Sequence, residues 1–286
     1  MKYVMADPTG LCFGVRRAID QLEQALKIHG IVYALGSPIH NPQEVRRLET
    51  RGLRVVRHPE EVPEGGVVFI RAHGVPPEDL ELLQERHTLL VDGTCPFVRK
   101  AQEQARRLSR EGYFVIIVGD TDHPEVKGIR GHVEGDVAVV NPALPVEPDF
   151  SPASRVGVVC QTTLREESLI QIASGLLTRT EELRICNTIC RATVLRQDSV
   201  RKLSKEVDGI IVMGGKNSAN THKLVQIVQN SGTPVQWIEQ AEDLDWGWVK
   251  DKSTLGIAAG ASTPDWLIHE LHHKLESSRL SKGMDG

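Results

Sequence analysis

Residues 88–108, TLLVDGTCPFVRKAQEQARRL, contain a pattern that the chain repeats: a strand, a short turn, a cysteine and a helix. The apolar run 89–91 ends in a polar turn, and Cys95 and Pro96 follow it. Proline suits the first position of a helix, where its missing N–H costs no hydrogen bond. Cys95 is therefore predicted at a helix N-terminus, where the helix dipole favours a thiolate.

The same pattern occurs twice more. Cys12 follows a strand-like run in residues 3–19, and Cys190 does so in residues 183–200. The three cysteines are 83 and 95 residues apart, which is about the length of one small α/β unit. This spacing predicts three similar units that share a central site.

Three thiols limit the kinds of metal site that we expect. A structural zinc site needs four ligands, usually as two close pairs, and only Cys186 and Cys190 have that spacing. Three thiolates can hold an iron–sulfur cluster and leave one iron open, although four cysteines are commoner. A single cysteine is more often a small core residue. We assign Cys160 and Cys186, which lie in apolar runs, to the core.

Composition excludes several classes of protein. Of the 286 residues, 40% are hydrophobic and 25% charged, which is typical of a globular protein. The net charge of −4, without a long basic run, argues against nucleic-acid and anionic-membrane binding. We expect neither a signal peptide nor a membrane span. Five cysteines do not resemble a disulfide framework, so we expect a reduced, cytoplasmic protein.

Strand and helix patterns alternate along the chain, which predicts an α/β fold with parallel sheets. Such sheets bind ligands beyond the carboxyl ends of their strands, where the polar motifs fall. A Pro-rich connector is expected at 142–152. The predicted units are 13–95, 96–189, and 190–280 with the N-terminal strand 1–12, followed by a flexible tail at 281–286.

Three histidines lie in predicted strand-to-helix loops: His40, His73 and His123. A single loop histidine is more often a surface or core residue than a functional one. Three in equivalent positions can ligate zinc or donate hydrogen bonds to phosphate oxygens. We prefer anion binding, because one metal would be overcrowded by three histidines and three cysteines.

Short polar side chains precede two predicted helices. Ser218 and Asn220 lie in GGKNSANTHKL, and Ser262 lies in GASTPDW. Such donors, together with the free N–H groups of a helix start, form an anion site. Plain N-capping is the alternative, most clearly for Thr263 before Pro264.

Glu125 is the candidate proton source, two residues after His123. A carboxyl group in a closed site can keep its proton and donate it at neutral pH. The alternative is an acidic residue that stabilises the first turn of a helix. Thr162 and Thr163 follow a strand end and can relay protons, contact a substrate hydroxyl, or cap the next helix.

Taken together, the motifs resemble the 4-hydroxy-3-methylbut-2-enyl diphosphate reductase family, over nearly the whole chain. The motifs are GLCFGVRRAI, PIHNPQEV, RAHGVPP, VDGTCPFVRK, HPEVKG, QTTL, NTIC, KNSAN and GASTP. The resemblance implies three α/β domains in a trefoil around a [4Fe–4S] cluster. It also implies the terminal reaction of non-mevalonate isoprenoid synthesis, a two-electron, two-proton reductive dehydroxylation that yields isopentenyl and dimethylallyl diphosphates.

Residue roles follow from the same resemblance. Glu125 would deliver protons, with Thr162 beside the substrate hydroxyl, and a ferredoxin or flavodoxin would supply electrons. The cluster ligands would be Cys12, Cys95 and Cys190. The diphosphate would be held by His40, His73, His123, Ser218, Asn220 and Ser262.

The chain departs from the family pattern at Ala219, where many members carry a second serine. The change removes a hydroxyl donor but keeps the backbone N–H, so it bears on affinity more than on activity. Two other functions remain open at this point: a zinc hydrolase of a phosphorylated small molecule, and a non-catalytic iron–sulfur carrier or sensor. The second would not need the diphosphate donors.

Overall fold

The computed structural model describes residues 2–142 and 154–282, in which strands and helices alternate. The strands are β1 Lys2–Met5, β2 Val32–Leu35, β3 Leu53–Val56, β4 Val67–Ile70, β5 Leu89–Asp92, β6 Phe114–Val118, β7 Val137–Val140, β8 Arg155–Cys160, β9 Glu182–Ile185, β10 Gly209–Met213, β11 Val235–Ile238 and β12 Thr254–Ala259. The α-helices are α1 Phe13–His29, α2 Pro42–Glu49, α3 Pro77–Glu85, α4 Pro96–Arg110, α5 Pro124–Gly131, α6 Glu166–Leu176, α7 Arg191–Leu203, α8 Ala219–Asn230, α9 Trp246–Lys250 and α10 Asp265–Lys282.

The described strands form three four-stranded sheets whose pairings are all parallel. The strand orders are β1-β12-β10-β11, β3-β2-β4-β5 and β7-β6-β8-β9. The predicted α/β class with three parallel-sheet units is therefore confirmed.

The chain divides into two compact units. The terminal unit comprises Met1–Arg16, Ile39–Arg47 and Arg191–Gly286, and it contains the sheet of β1, β12, β10 and β11. The central unit comprises Arg17–Pro38 and Leu48–Cys190, and it contains the other two sheets.

In the central unit, helix α4 connects the two sheets. Three residues separate it from β5, a strand of one sheet, and it contacts β6 and β8 of the other. Ala101, Ala105 and Leu108 form its fully buried face. Gly157 of β8 lies under Leu108, whose side-chain atoms would be 2.8 Å from a Cβ at that position. Helix α4, which begins directly after Cys95, thus follows one sheet in the chain and packs against the other.

Strand β3 was not expected from the sequence. It pairs with β2 at the edge of its sheet, and its second and third residues, Arg54 and Val55, are exposed. A four-residue strand with so few buried side chains has almost no apolar pattern to recognise.

Parts of the remaining predictions lie outside the described residues. All of the predicted connector 142–152 except Pro142 is outside them, and so are residues 283–286 of the predicted tail. Residues 281 and 282 belong to α10. The predicted domain boundaries stay a prediction.

Candidate functional site

The candidate residues fall in both compact units, and each unit brings several of its own together. The central unit contains His73, Cys95, His123, Glu125, Thr162 and Cys190. The terminal unit contains Cys12, His40, Ser218, Asn220 and Ser262.

Each of the three predicted cluster cysteines directly precedes a helix, as the sequence pattern predicts: Cys12 before α1, Cys95 before α4 and Cys190 before α7. Their backbone N–H groups are all hydrogen-bonded. Cys12 donates to Ala261 O at 3.1 Å, Cys95 to Ala72 O at 3.0 Å and Cys190 to Thr162 O at 2.9 Å. All three side chains are partly exposed and free of disulfides. Their donor set therefore fits an iron–sulfur cluster, which takes thiolate ligands.

The other two cysteines have different surroundings. Cys160 is 0% exposed, and burial raises the pKa of its thiol. Partial burial also raises the pKa of Cys186, whose Sγ lies 3.5 Å from Gln104 Oε1. A raised thiol pKa disfavours the thiolate that a metal needs. Both environments agree with the core assignment, because Cys160 is fully buried and Cys186 is partly buried.

In the central unit, His73 and His123 lie side by side. Their ring centroids are 5.2 Å apart in an edge-to-face arrangement. His123 is the N-cap of α5, and its Nδ1 accepts a hydrogen bond from Glu125 N at 3.2 Å. Because an accepting ring nitrogen carries no proton, the neutral ring has its proton on Nε2. His123 can therefore cap the helix and still donate from Nε2 to an anion.

Glu125 is 2% exposed, and both of its carboxylate oxygens accept hydrogen bonds from Thr162. Thr162 N donates to Glu125 Oε1 at 2.5 Å, and Thr162 Oγ1 donates to Glu125 Oε2 at 2.9 Å. Hydrogen bonds to a charged group contribute about 1.5–3 kcal/mol each. Since the Thr162 carbonyl accepts from Cys190 N, this threonine connects the candidate acid to a candidate cluster ligand. Thr162 does not cap α6, whose N-cap is Arg165.

In the terminal unit, Ser218, Asn220 and Ser262 surround the start of α8. Ser218 caps that helix by accepting from Thr221 N at 3.3 Å, and its Oγ lies 3.2 Å from Ser262 Oγ. Asn220 is 5% exposed, yet within the described residues neither its Oδ1 nor its Nδ2 has a hydrogen-bond partner. A buried amide without partners costs free energy, so it indicates a missing polar ligand. Thr263, by contrast, donates its hydroxyl hydrogen bond to Met213 O.

His40 belongs to the same group of residues. Its carbonyl accepts from Ser262 Oγ at 3.2 Å. The backbone of Gly215 approaches the same carbonyl so closely that a Cβ there would lie 2.4 Å from the oxygen. Only glycine fits this position, and the loop before α8 can therefore pack against the His40 main chain.

Sequence reasoning missed three polar residues of the central unit. Gln161 accepts from Asp120 N at 3.1 Å and donates to Thr163 Oγ1 at 3.1 Å, which ties two loops together. Arg71, two residues before His73, has its pKa lowered to about 10 because it is desolvated, so it stays charged at neutral pH. Thr188 lies in the NTIC motif, in which only Cys190 was considered as a functional residue. The motif RAHGVPP contains Arg71 and the motif QTTL contains Gln161, so these motifs could have indicated both residues.

Within residues 2–142 and 154–282, none of the helices combines the length and the apolar character of a membrane span. The expectations of a cytoplasmic location and of no nucleic-acid partner stay predictions.

Comparisons with known proteins settle the family. A family model described as LytB protein matches residues 3–276. The chain belongs to the LytB family. Its relatives include the 4-hydroxy-3-methylbut-2-enyl diphosphate reductases of Aquifex aeolicus and Geobacter sulfurreducens, which are 42% and 43% identical over 276 residues. Each alignment covers 96% of this chain, and 95% and 97% of the respective relative.

Solved structures agree with this assignment. One solved structure is that of (E)-4-hydroxy-3-methyl-but-2-enyl diphosphate reductase, described as the terminal enzyme of the non-mevalonate pathway. That protein is 42% identical to this chain, and the two structures match with a TM-score of 0.74. The match covers 97% of this chain and 100% of that chain. The E-1-hydroxy-2-methyl-but-2-enyl-4-diphosphate reductase from Plasmodium falciparum is 26% identical with a TM-score of 0.87, over 96% of this chain and 87% of that one.

Membership in the LytB family confirms the resemblance found in the motifs and implies an iron–sulfur enzyme. The relatives are named as reductases, which supports neither the zinc hydrolase nor the non-catalytic carrier.

Alkylation of the metal-free, reduced protein tests the division among the cysteines. Iodoacetamide should modify Cys12, Cys95 and Cys190 at least ~10-fold faster than Cys160, whose thiol is buried and protonated. Peptide mass spectrometry over a time course gives the five rates, and the same protein in denaturant is the control in which all five should react alike. Labelling of native Cys160 at the rate of Cys95 would contradict the assignment.

Proposed function

We propose that this protein removes the hydroxyl group of 4-hydroxy-3-methylbut-2-enyl diphosphate by reduction. Two electrons and two protons enter, the C–O bond breaks, and the products are water with isopentenyl or dimethylallyl diphosphate. Relatives of this name, 42–43% identical over 96% of the chain, support the proposal. The observation that carries it is the hydrogen-bonded connection from buried Glu125 through Thr162 to Cys190.

The proposed cofactor is a [4Fe–4S] cluster held by Cys12, Cys95 and Cys190. Their partly exposed thiols and helix-preceding positions support this, together with the contrasting burial of Cys160. When bound, the cluster would pass electrons to the substrate and act as a Lewis acid toward its hydroxyl group. We propose a ferredoxin or a flavodoxin as the electron donor.

The proposed diphosphate ligands are His40, His73, His123, Ser218, Asn220 and Ser262. Asn220 gives the strongest support, because a diphosphate oxygen can accept from its buried Nδ2, which no described residue engages. The Nε2–H of His123, whose Nδ1 accepts from Glu125 N, and the first N–H groups of α8 add further donors. Ala219, at the first position of α8, offers its backbone N–H in place of the serine hydroxyl.

Glu125 and Thr162 would move the proton. A hydroxyl group has one hydrogen and two lone pairs, so Thr162 can donate in one direction while it accepts from another. When Glu125 is protonated, its O–H can donate to Thr162 Oγ1 across the same 2.9 Å contact. The threonine hydrogen is then free to pass to the leaving hydroxyl group. Glu125 thereby holds the proton and Thr162 delivers it.

Anaerobic assays of the purified protein test the function and the ligand set together. With reduced viologen as the electron donor, the wild-type protein should convert the hydroxylated diphosphate to the two isoprenoid diphosphates. Each of Cys12→Ser, Cys95→Ser and Cys190→Ser should lose the iron-based absorbance and the activity, because an oxygen ligand suits iron–sulfur chemistry poorly.

Cys160→Ala and Cys186→Ala are the matched controls, and both should keep their iron and acid-labile sulfide. A wild-type protein that contains zinc instead of iron, or that loses its cluster only in the two control variants, would contradict the proposal.

Replacing Glu125 with Gln tests the proton source. Glutamine keeps the size of the side chain but cannot deliver a proton, and a positioned acid contributes roughly 10²–10⁴-fold. Glu125→Gln should therefore bind cluster and substrate, yet turn over at least ~100-fold more slowly. The measurement is single-turnover decay of the reduced enzyme–substrate complex.

Asp122→Asn is the control, since this exposed carboxylate lies three residues before Glu125, in the loop that leads into α5, and pairs with Lys127 at the surface at 3.4 Å. A Glu125→Gln rate within a few-fold of wild type would show that the proton comes from elsewhere.

A further inference from the structure

The segment 186–190, which ends in Cys190, runs beside the end of β8 without forming a regular strand. The last residue pair of the parallel ladder between β8 and β9 is Val158 and Ile185. One more main-chain bond follows, from Cys186 N to Val158 O at 2.8 Å. Beyond it, the backbone groups of Cys160 still face the segment and need partners, because buried main-chain N–H and C=O groups are nearly always paired.

The hydroxyl of Thr188 supplies both of those partners. Its Oγ1 accepts from Cys160 N at 2.9 Å and donates to Cys160 O at 2.6 Å. Thr188 is 6% exposed, so water does not compete freely for these bonds. One side chain therefore takes the place of the main-chain ladder where the segment turns away from the sheet.

Two residues after Thr188 and two residues after Cys160, the backbones of the two segments are hydrogen-bonded again. Cys190 N donates to Thr162 O at 2.9 Å, and Thr162 holds the carboxylate of Glu125. Two of the contacts that position Cys190 relative to β8 are thus the bond of its own N–H and the bonds of the Thr188 hydroxyl. Without the hydroxyl, Cys160 N and O would lose these partners, and the main-chain bonds of Cys186 and Cys190 would remain at the two ends of the segment.

We propose that Thr188 is a positioning residue, whose hydroxyl holds Cys190 in place for cluster binding and keeps Thr162 in register with it. This role rests on the proposed function, because it takes Cys190 as a ligand. Thr188 touches neither substrate nor cluster in this role and acts through the backbone of Cys160. Groups that orient a metal ligand typically matter 10–100-fold for metal affinity or activity when they are changed.

Three variants test the role in the reconstituted holoenzyme. Thr188→Val keeps the shape of the side chain and removes the hydroxyl, and Thr188→Ser keeps the hydroxyl. Thr180→Val is the matched control, because its hydroxyl donates to Ser154 O at 3.0 Å at the opposite end of the same strand pair. The readouts are the rate of iron loss to a chelator and the electron paramagnetic resonance spectrum of the reduced cluster.

Thr188→Val should release iron about 10–100-fold faster than wild type and show an altered spectrum. Thr188→Ser should restore both to within a few-fold of wild type, and Thr180→Val should behave as wild type. Equal iron loss from Thr188→Val and Thr180→Val would overturn the proposal, and so would a failure of serine to rescue.

Hydrogen exchange in the wild-type protein tests the hydrogen bonds of Cys160 and Cys190 without any substitution. The amides of Cys160 and Cys190 should exchange at least ~100-fold more slowly than in an unfolded chain. Exchange of the Cys160 amide at the unfolded rate would overturn the proposal, even if Thr188→Val failed to fold. A wild-type protein that takes up no iron would contradict the proposed function instead. Slow exchange of the Cys160 and Cys190 amides would still support the positioning role of Thr188.

Discussion

The chemistry that we propose for the central unit depends on three hydrogen bonds of Thr162. Its N–H and its hydroxyl hold the carboxylate of Glu125, and its carbonyl accepts from the N–H of Cys190. An ionised carboxylate with 2% exposure would be costly without such partners. The same bonds that make Glu125 tolerable in the interior also fix it relative to Cys190. One residue, Thr162, therefore contributes both to stability and to the proposed catalytic geometry.

Parallel sheets explain why these groups can be assembled from distant parts of the chain. Strands β6 and β8 are adjacent and parallel, so the loops after them, which carry His123 with Glu125 and Gln161 with Thr162, emerge at the same edge. Cys190 reaches that edge after β9, the next strand in the sheet. Helix starts then provide the polar surroundings, because their first N–H groups lack partners within the helix. His123 and Ser218 are both N-caps, and the side chain of each accepts a hydrogen bond from a backbone N–H in the first turn of its helix.

The sequence was sufficient for the fold class, because buried parallel strands such as β6 are continuous apolar runs that end in polar turns. It also predicted that Cys12, Cys95 and Cys190 directly precede helices, and it separated them from Cys160. It could not predict β3, whose few buried residues leave little pattern. Nor could it predict the two bonds of Thr188 or the link from Thr162 to Cys190, since these depend on which strands are neighbours. The roles assigned to the site residues remain proposals.

We propose that Glu125 and Thr162 act as one proton-delivering pair. A double-mutant cycle of Glu125→Gln and Thr162→Val, measured as the single-turnover rate with substrate bound, tests it most directly. We expect strong coupling: the double variant should be no more than a few-fold slower than the slower single variant, because either change alone breaks the same path. Rate losses that multiply in the double variant would show that the two side chains act independently, and would contradict the account.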